Sequence, residues 1–124
     1  MKATDLMIGD WVLYAGKPNI ITEVSEIIHG EATVCFVGNN YMANMDEIKP
    51  IPITKEILEK NGWKKLETAY WWRGDGISVL LDMYDERYGW CLSIDRNHIP
   101  FDCKYVHQLQ QAMRLCGITK EIEL

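Results

Sequence analysis

Turn signals recur through this chain at short intervals, and they limit its fold more than any other feature. In the N-terminal part, "DWVLYAG", "NIITEVSEI", "ATVCFVG" and "YMANMDEI" follow one another. They are separated by Gly16-Lys17-Pro18-Asn19, His29-Gly30-Glu31 and Asn39-Asn40. Short runs rich in β-branched and aromatic residues, bounded by Gly, Pro and Asn, read as strands. "DWVLYAG" sets Trp11 and Leu13 against Val12 and Tyr14, the period of two that a strand requires. Four or five such strands predict a small bent sheet or an SH3-like barrel.

The character changes at "KPIPIT". Pro50 and Pro52 force extended geometry on the residues before them, so this stretch connects two halves. Thr54 is a good N-cap for a helix through "KEILEKN". Ile53 and Leu58 have the spacing of a hydrophobic staple. Gly62 fits the left-handed position after the helix, and Trp63 can fold back on Leu58. Strands are then expected over 68–73, 77–84, 89–95 and 98–103, with turns at Gly74-Asp75-Gly76, Asp85 to Tyr88 and Asp95 to Asn97. In "KYVHQLQQAMRLCG", Val106, Leu109, Met113 and Cys116 step at helical spacing with Ala112 beside them, and Gly117 ends the helix. "ITKEIEL" follows as a short strand or a frayed tail. The fold class is therefore α+β: a bent N-terminal sheet or SH3-like barrel, a helix, an antiparallel β-meander and a C-terminal helix. The division is a β-rich part over 1–53 and an α+β part over 54–124, in one compact unit.

Composition narrows the function classes. The net charge of -5 argues against a dedicated phosphate-backbone binder. No apolar run approaches the ~18 residues that span a bilayer. "MKATDLMIGDWV" has no apolar signal-peptide core. Cys35, Cys91, Cys103 and Cys116 form no C-x-x-C pair and sit in apolar-patterned segments, so they read as free thiols in a reducing cytoplasm. Nothing in their spacing suggests a metal site, and no cofactor-binding motif occurs.

Three stretches carry a resemblance: "DLMIGDWV" at 5–12, "IKPIPITKEILEKNGW" at 48–63 and "KYVHQLQQAMRLCG" at 104–117. In this order they resemble a family of small proteins from Bacteroidetes genomes and their phages. Its members open on Leu-Arg-Ile-Gly-Asn/Asp-Trp/Tyr-Val, continue through Ile-x-Pro-Ile-Pro-Leu-Thr-Glu-Glu and end on Tyr-Val-His-Gln-Leu-Gln. Met7 stands where Arg is usual, and "QAMRLCG" replaces an Asn-Leu-Tyr-Phe-Ala-Leu stretch. The resemblance implies a prophage or mobile-element setting and carries no activity.

Candidate chemistry is sparse. Cys103 and His107 lie four apart, the spacing at which two side chains meet on a helix, but Cys103 is expected to end a strand. The carboxylate pairs Glu56/Glu59, Asp82/Asp85 and Asp85/Glu86 read as solvated surface. The five Trp and six Tyr are the outstanding feature. Trp11, Trp63 and Trp90 lie in patterns that point inward. Trp71 and Trp72, in "YWWRGDG", cannot share a face, because strand neighbours alternate. If one is core, the other lies on the far face, which is either covered by a helix or the N-terminal part or open as a contact surface that Tyr88 and Trp90 would extend and Arg73 would rim. Arg73-Gly74-Asp75 spells an adhesion tripeptide but reads as turn chemistry. His107, Gln108, Gln111 and Arg114 make a polar helix face.

The expectation is a non-enzymatic protein-binding or adaptor module, binding a protein partner or itself and located in the cytoplasm. The alternative is a nucleic-acid-associated small barrel using Lys64, Lys65 and Arg73 beside Trp63, Trp71 and Trp72. A third reading is an enzyme without a recognisable motif.

Overall fold

The computed structural model describes residues 5–26, 32–85 and 89–124. Its fold is α+β, with two antiparallel five-stranded sheets and two helices among these residues. The chain divides into two units, Met1–Ile51 and Pro52–Leu124, each holding one sheet.

The first unit consists of β1 (Trp11–Tyr14), β2 (Lys17–Glu26), β3 (Ala32–Phe36), β4 (Asn39–Asn44) and β5 (Ile48–Lys49). Their order in the sheet is β4-β3-β2-β1-β5. β2 is long and shared. Its residues up to Ile20 pair with β1, and those from Ile21 onward pair with β3. Register shifts interrupt the β2–β3 pairing between Ile21 and Glu23, where β2 changes partner, and the β3–β4 pairing between Val34 and Phe36. A short 3₁₀ turn, Met45–Glu47, returns the chain to β5 beside β1. Val12, Ile21, Val34, Phe36, Ala43 and Ile48 form the buried core, joined by Leu6.

The first hairpin turn lies earlier than its Gly-Lys-Pro-Asn signal indicates. Tyr14 pairs directly with Lys17, so the loop is Ala15-Gly16. Both loop residues have positive φ, 52° and 76°, which matches the twist of the flanking strands. Pro18 is accommodated within β2, opposite Leu13. The next turn is likewise Val37-Gly38, because Phe36 already pairs with Asn39. The turn expected at His29-Gly30-Glu31 falls outside the described residues.

The second unit opens with α1 (Lys55–Lys60). Thr54 Oγ1 accepts the Ile57 N–H at 3.2 Å, as an N-cap should. At the other end the Gly62 N–H donates to Glu59 O and the Trp63 N–H to Leu58 O, with Gly62 at φ 83°. These two hydrogen bonds close the helix and turn Trp63 back toward Leu58; both residues are buried.

A meander follows: β6 (Lys64–Leu66), β7 (Ala69–Gly74), β8 (Ile77–Asp85), β9 (Gly89–Ile94) and β10 (Asn97–Cys103), in the order β10-β9-β8-β7-β6. β6 carries no strand pattern of its own. It becomes a strand by pairing Lys64, Lys65 and Leu66 with Trp71, Tyr70 and Ala69. Two-residue loops at Asp75-Gly76 and Asp95-Arg96, all with positive φ, join the later strands. α2 (Val106–Leu115) buries Val106, Leu109, Ala112 and Met113, the stripe the spacing predicts. Beyond it the chain is neither strand nor frayed, since Ile118 and Ile122 are buried.

Candidate protein-binding face

Strand alternation decides which tryptophan faces where. Along β7, Tyr70 and Trp72 are buried, whereas Trp71 and Arg73 are exposed. Trp71 is 39 % exposed and Trp72 is 8 % exposed. Register carries the alternation across the sheet. Tyr70 pairs with Leu81 and Leu81 with Leu92; Trp72 pairs with Val79. All of these are buried, as are Trp90 and its partner Cys103.

The covered face is tied down by polar contacts as well as apolar ones. Tyr70 packs edge-on to Trp90, with centroids 6.0 Å apart. The Tyr70 hydroxyl donates to Glu59 Oε1 of α1 at 3.0 Å. Burial first, and then Glu59 and Glu56, raise the Tyr70 phenol above its ordinary value. Trp90 Nε1 donates to Ile53 O at 3.4 Å. Trp72 lies so close over Gly74 that a β-carbon there would come within 2.5 Å of the ring.

The outer face is different. Trp71 stands between Lys64 on one side and Leu80 on the other. Leu80 pairs in turn with Ser93, and Asp82 with Cys91. Leu66, diagonal to Trp71 on the edge strand, is 60 % exposed. Leu80, Asp82, Cys91 and Ser93 are half-buried, and Lys64, Arg73 and Ser78 are exposed. Trp71 thus stands among aliphatic neighbours with two cations and one carboxylate at the margin.

The sequence-derived surface residues therefore do not form one patch. Trp71 and Arg73 share the outer face. Trp72 and Trp90 face the other way, because Trp90 is two residues before Leu92 and shares its side of the sheet. Tyr88 lies outside the described residues. On α2, His107 is buried and stacked on Tyr105 at 5.9 Å. Gln108 is half-buried, and its Oε1 accepts the Lys104 and Tyr105 N–H groups at 2.8 and 3.0 Å, capping the helix. Gln111 is half-buried, and Arg114 pairs with Glu121 at 3.4 Å. Trp63 is buried as its pattern indicates, whereas Trp11 is only half-buried.

Other candidates resolve as structure. Asp75 Oδ2 accepts both the N–H and the hydroxyl of Thr119, at 3.1 and 3.2 Å. The carboxylate that an adhesion motif would present is thereby engaged. Cys103 ends β10 and His107 lies in α2, with the Tyr105 cap between them, so helical spacing does not apply. Burial pushes the Cys103 thiol up to about 12, which leaves no thiolate at neutral pH. No group of metal-ligating side chains occurs among the described residues, and no described helix is long and apolar enough to cross a membrane.

One residue escapes any local reading. Asn61 is buried at the end of α1, and its side chain holds the backbone of Glu123, 62 positions away. Asn-Gly marks a helix end in sequence, but nothing nearby reveals so distant a partner. Compared with protein-family models, curated proteins and solved structures, the chain finds no match.

Proposed function

We propose that this chain is a non-enzymatic protein-binding module whose contact surface is the outer face of the second unit's sheet, centred on Trp71. One observation carries the reading. Of five tryptophans, Trp71 is the one left exposed, at 39 %, and it stands beside an exposed leucine and a half-buried one. Tryptophan is enriched at binding hot spots, where a large rigid ring is buried by a partner at little entropic cost. Lys64 and Arg73 on one margin and Asp82 on the other supply the polar rim. The partner is another protein or a second copy of this chain. The test is association of Trp71→Ala compared with wild type, by light scattering for a second copy and by pull-down from a cell lysate for another protein. Loss of association with unchanged melting supports the module; full association with a lowered melting temperature rejects it.

A second reading is favoured by the pairing of Lys64 with Trp71 and by Arg73 two residues along. An aromatic ring between two cations is the arrangement that stacks bases of a single strand. The net charge of -5 opposes it. Quenching of Trp71 fluorescence by single-stranded oligonucleotides, lost steeply with salt, would select this alternative.

For the first unit the proposal is an SH3-like barrel. Support comes from the strand shared between two partners, the 3₁₀ turn before β5 and the return of β5 to β1. The cytoplasmic and phage-like setting rests on the four unpaired cysteines and on the three stretches quoted above.

A further inference from the structure

The register of the meander sets opposite charges symmetrically about the Trp71 surface. Trp71 of β7 stands opposite Leu80 of β8. Arg73, two residues beyond Trp71, pairs with Ser78. Asp82, two residues beyond Leu80, pairs with Ala69. The strands run antiparallel, so these four residues are the corners of a rectangle centred between Trp71 and Leu80. Arg73 and Asp82 occupy diagonally opposite corners. With a rise of about 3.4 Å per residue and strands about 4.8 Å apart, that diagonal is about 14 Å long. Arg73 is exposed and has no ionic partner among the described residues. Asp82 is half-buried, and Thr68 Oγ1 donates to its Oδ1 at 3.0 Å, which holds the carboxylate at its corner.

A cation and an anion placed evenly about an apolar pair satisfy the condition for a two-fold contact. In such a contact residue i meets residue j and j meets i, so one surface is its own complement. We infer that the occupant of this face is a second copy of the chain, stacked sheet on sheet about a two-fold axis over the Trp71–Leu80 pair. The inference rests on the reading of the Trp71 face as a contact surface and names what that surface binds. An axis along the perpendicular bisector of the diagonal brings each Arg73 over the Asp82 of the other copy. Trp71 and Leu80 lie close to the axis, so each meets its own counterpart and the apolar centre closes. From the same spacings the strands of the two copies cross at about 40°, near the roughly 30° of aligned sheets packed face to face. A foreign protein would need a cation and an anion on the same diagonal; a second copy carries them by symmetry.

The affinity is limited in two ways. The axis also runs past Lys64, which comes toward the Lys64 of the other copy. Lys64 stands exposed on edge strand β6, so its amine extends into water while its stem covers apolar surface. The outer face spans about four strands by five residues, on the order of 400 Å² per copy. Twice that area is the low end for specific contacts, and it sets a dissociation constant on the order of tens of micromolar.

The test is sedimentation equilibrium of full-length chains from about 5 to 500 µM, a range that brackets this constant. Wild type is expected to pass from monomer to dimer. Arg73→Glu alone and Asp82→Arg alone each place like charges together twice, and each is expected to weaken the dimer at least about tenfold. An equimolar mixture of the two variants is expected to dimerise again, because one copy of each restores both ion pairs. Near-ultraviolet circular dichroism verifies that each variant is folded. If Asp82→Arg fails to fold, Asp82→Asn replaces it, since its amide oxygen still accepts from Thr68; the mixture then recovers one ion pair of the two. A wild type that stays monomeric throughout, or a mixture that associates no better than its components, would overturn the inference. A monomer whose capture of a lysate protein is lost in Trp71→Ala overturns the second copy alone and leaves the protein-binding reading standing. A dimer that is unchanged in Trp71→Ala overturns both.

Discussion

The two faces of the second unit's sheet share one backbone and differ in almost everything else. Tyr70, Trp72, Val79, Leu81, Trp90 and Leu92 on one face are buried. Trp71, Leu80, Asp82, Cys91 and Ser93 on the other are exposed or half-buried. Adjacent tryptophans in one strand thus have opposite physical roles. The contrast shows that residue type says how much a side chain can bury, while register says whether it does. A large aromatic left outside keeps apolar area in water, which costs about 25 cal/mol per Å² until something covers it, and the proposed contact surface rests on that cost.

The strongest test of the contrast is a matched pair of truncations. Trp72→Ala is expected to cost about 3–5 kcal/mol in urea unfolding, the range for deleting a buried aromatic ring. If it costs no more than Trp71→Ala, the distinction between the faces fails.

Alkaline titration gives the next largest effect. The Cys103 thiol is held up to about 12 from an ordinary 9, and the Tyr70 phenol is also raised. Both groups keep their protons in the folded chain after the unfolded chain has lost them. For Cys103 that stabilisation is complete below pH 9 and is lost as pH rises toward 12, and for Tyr70 the loss begins around its ordinary value of 10.0. For Cys103 the slope is at most about 1.4 kcal/mol per pH unit. Urea melts between pH 8 and 11 should show the decline, and Cys103→Val should flatten its first part. In the native protein a thiol reagent should reach half-buried Cys91 well before Cys103.

Thr54→Ala is expected to cost about 1 kcal/mol, measured in the same melts, because it removes one N-cap bond beneath the covered face. Trp71→Ala is expected to change stability least, by less than about 0.5 kcal/mol, as substitutions on an exposed surface do. Its effect should appear in association instead. A destabilisation comparable to that of Trp72→Ala would mean that the outer face is packed within the chain.

Much of the local architecture was legible from residues a few positions apart. The α1 signals agreed with one another, with Thr54 at one end and Gly62 and Trp63 at the other, and both caps form. The later strands fall within a residue or two of the expected spans. Three features resisted. The Ala15-Gly16 turn was displaced by a stronger Gly-Pro-Asn signal beside it, and the pairing of Tyr14 with Lys17 overrode that signal. β6 exists because β7 offers it an edge, which no pattern within "KKL" records. His107 and Gln108 look like an exposed polar face on a helical wheel, yet the first is buried and the second is spent on the helix cap.

The sequence by itself determined that Trp71 and Trp72 lie on opposite faces, because the side-chain period of a strand is two. It also determined where α1 begins and ends, because caps act within a few residues. Only the tertiary structure decided which face is covered, since that depends on α1 and the C-terminal residues returning to one side of the sheet. Asn61 meets Glu123, and Asp75 meets Thr119, across 62 and 44 positions respectively. Such contacts obey no local period, and they exist only once the chain has closed on itself.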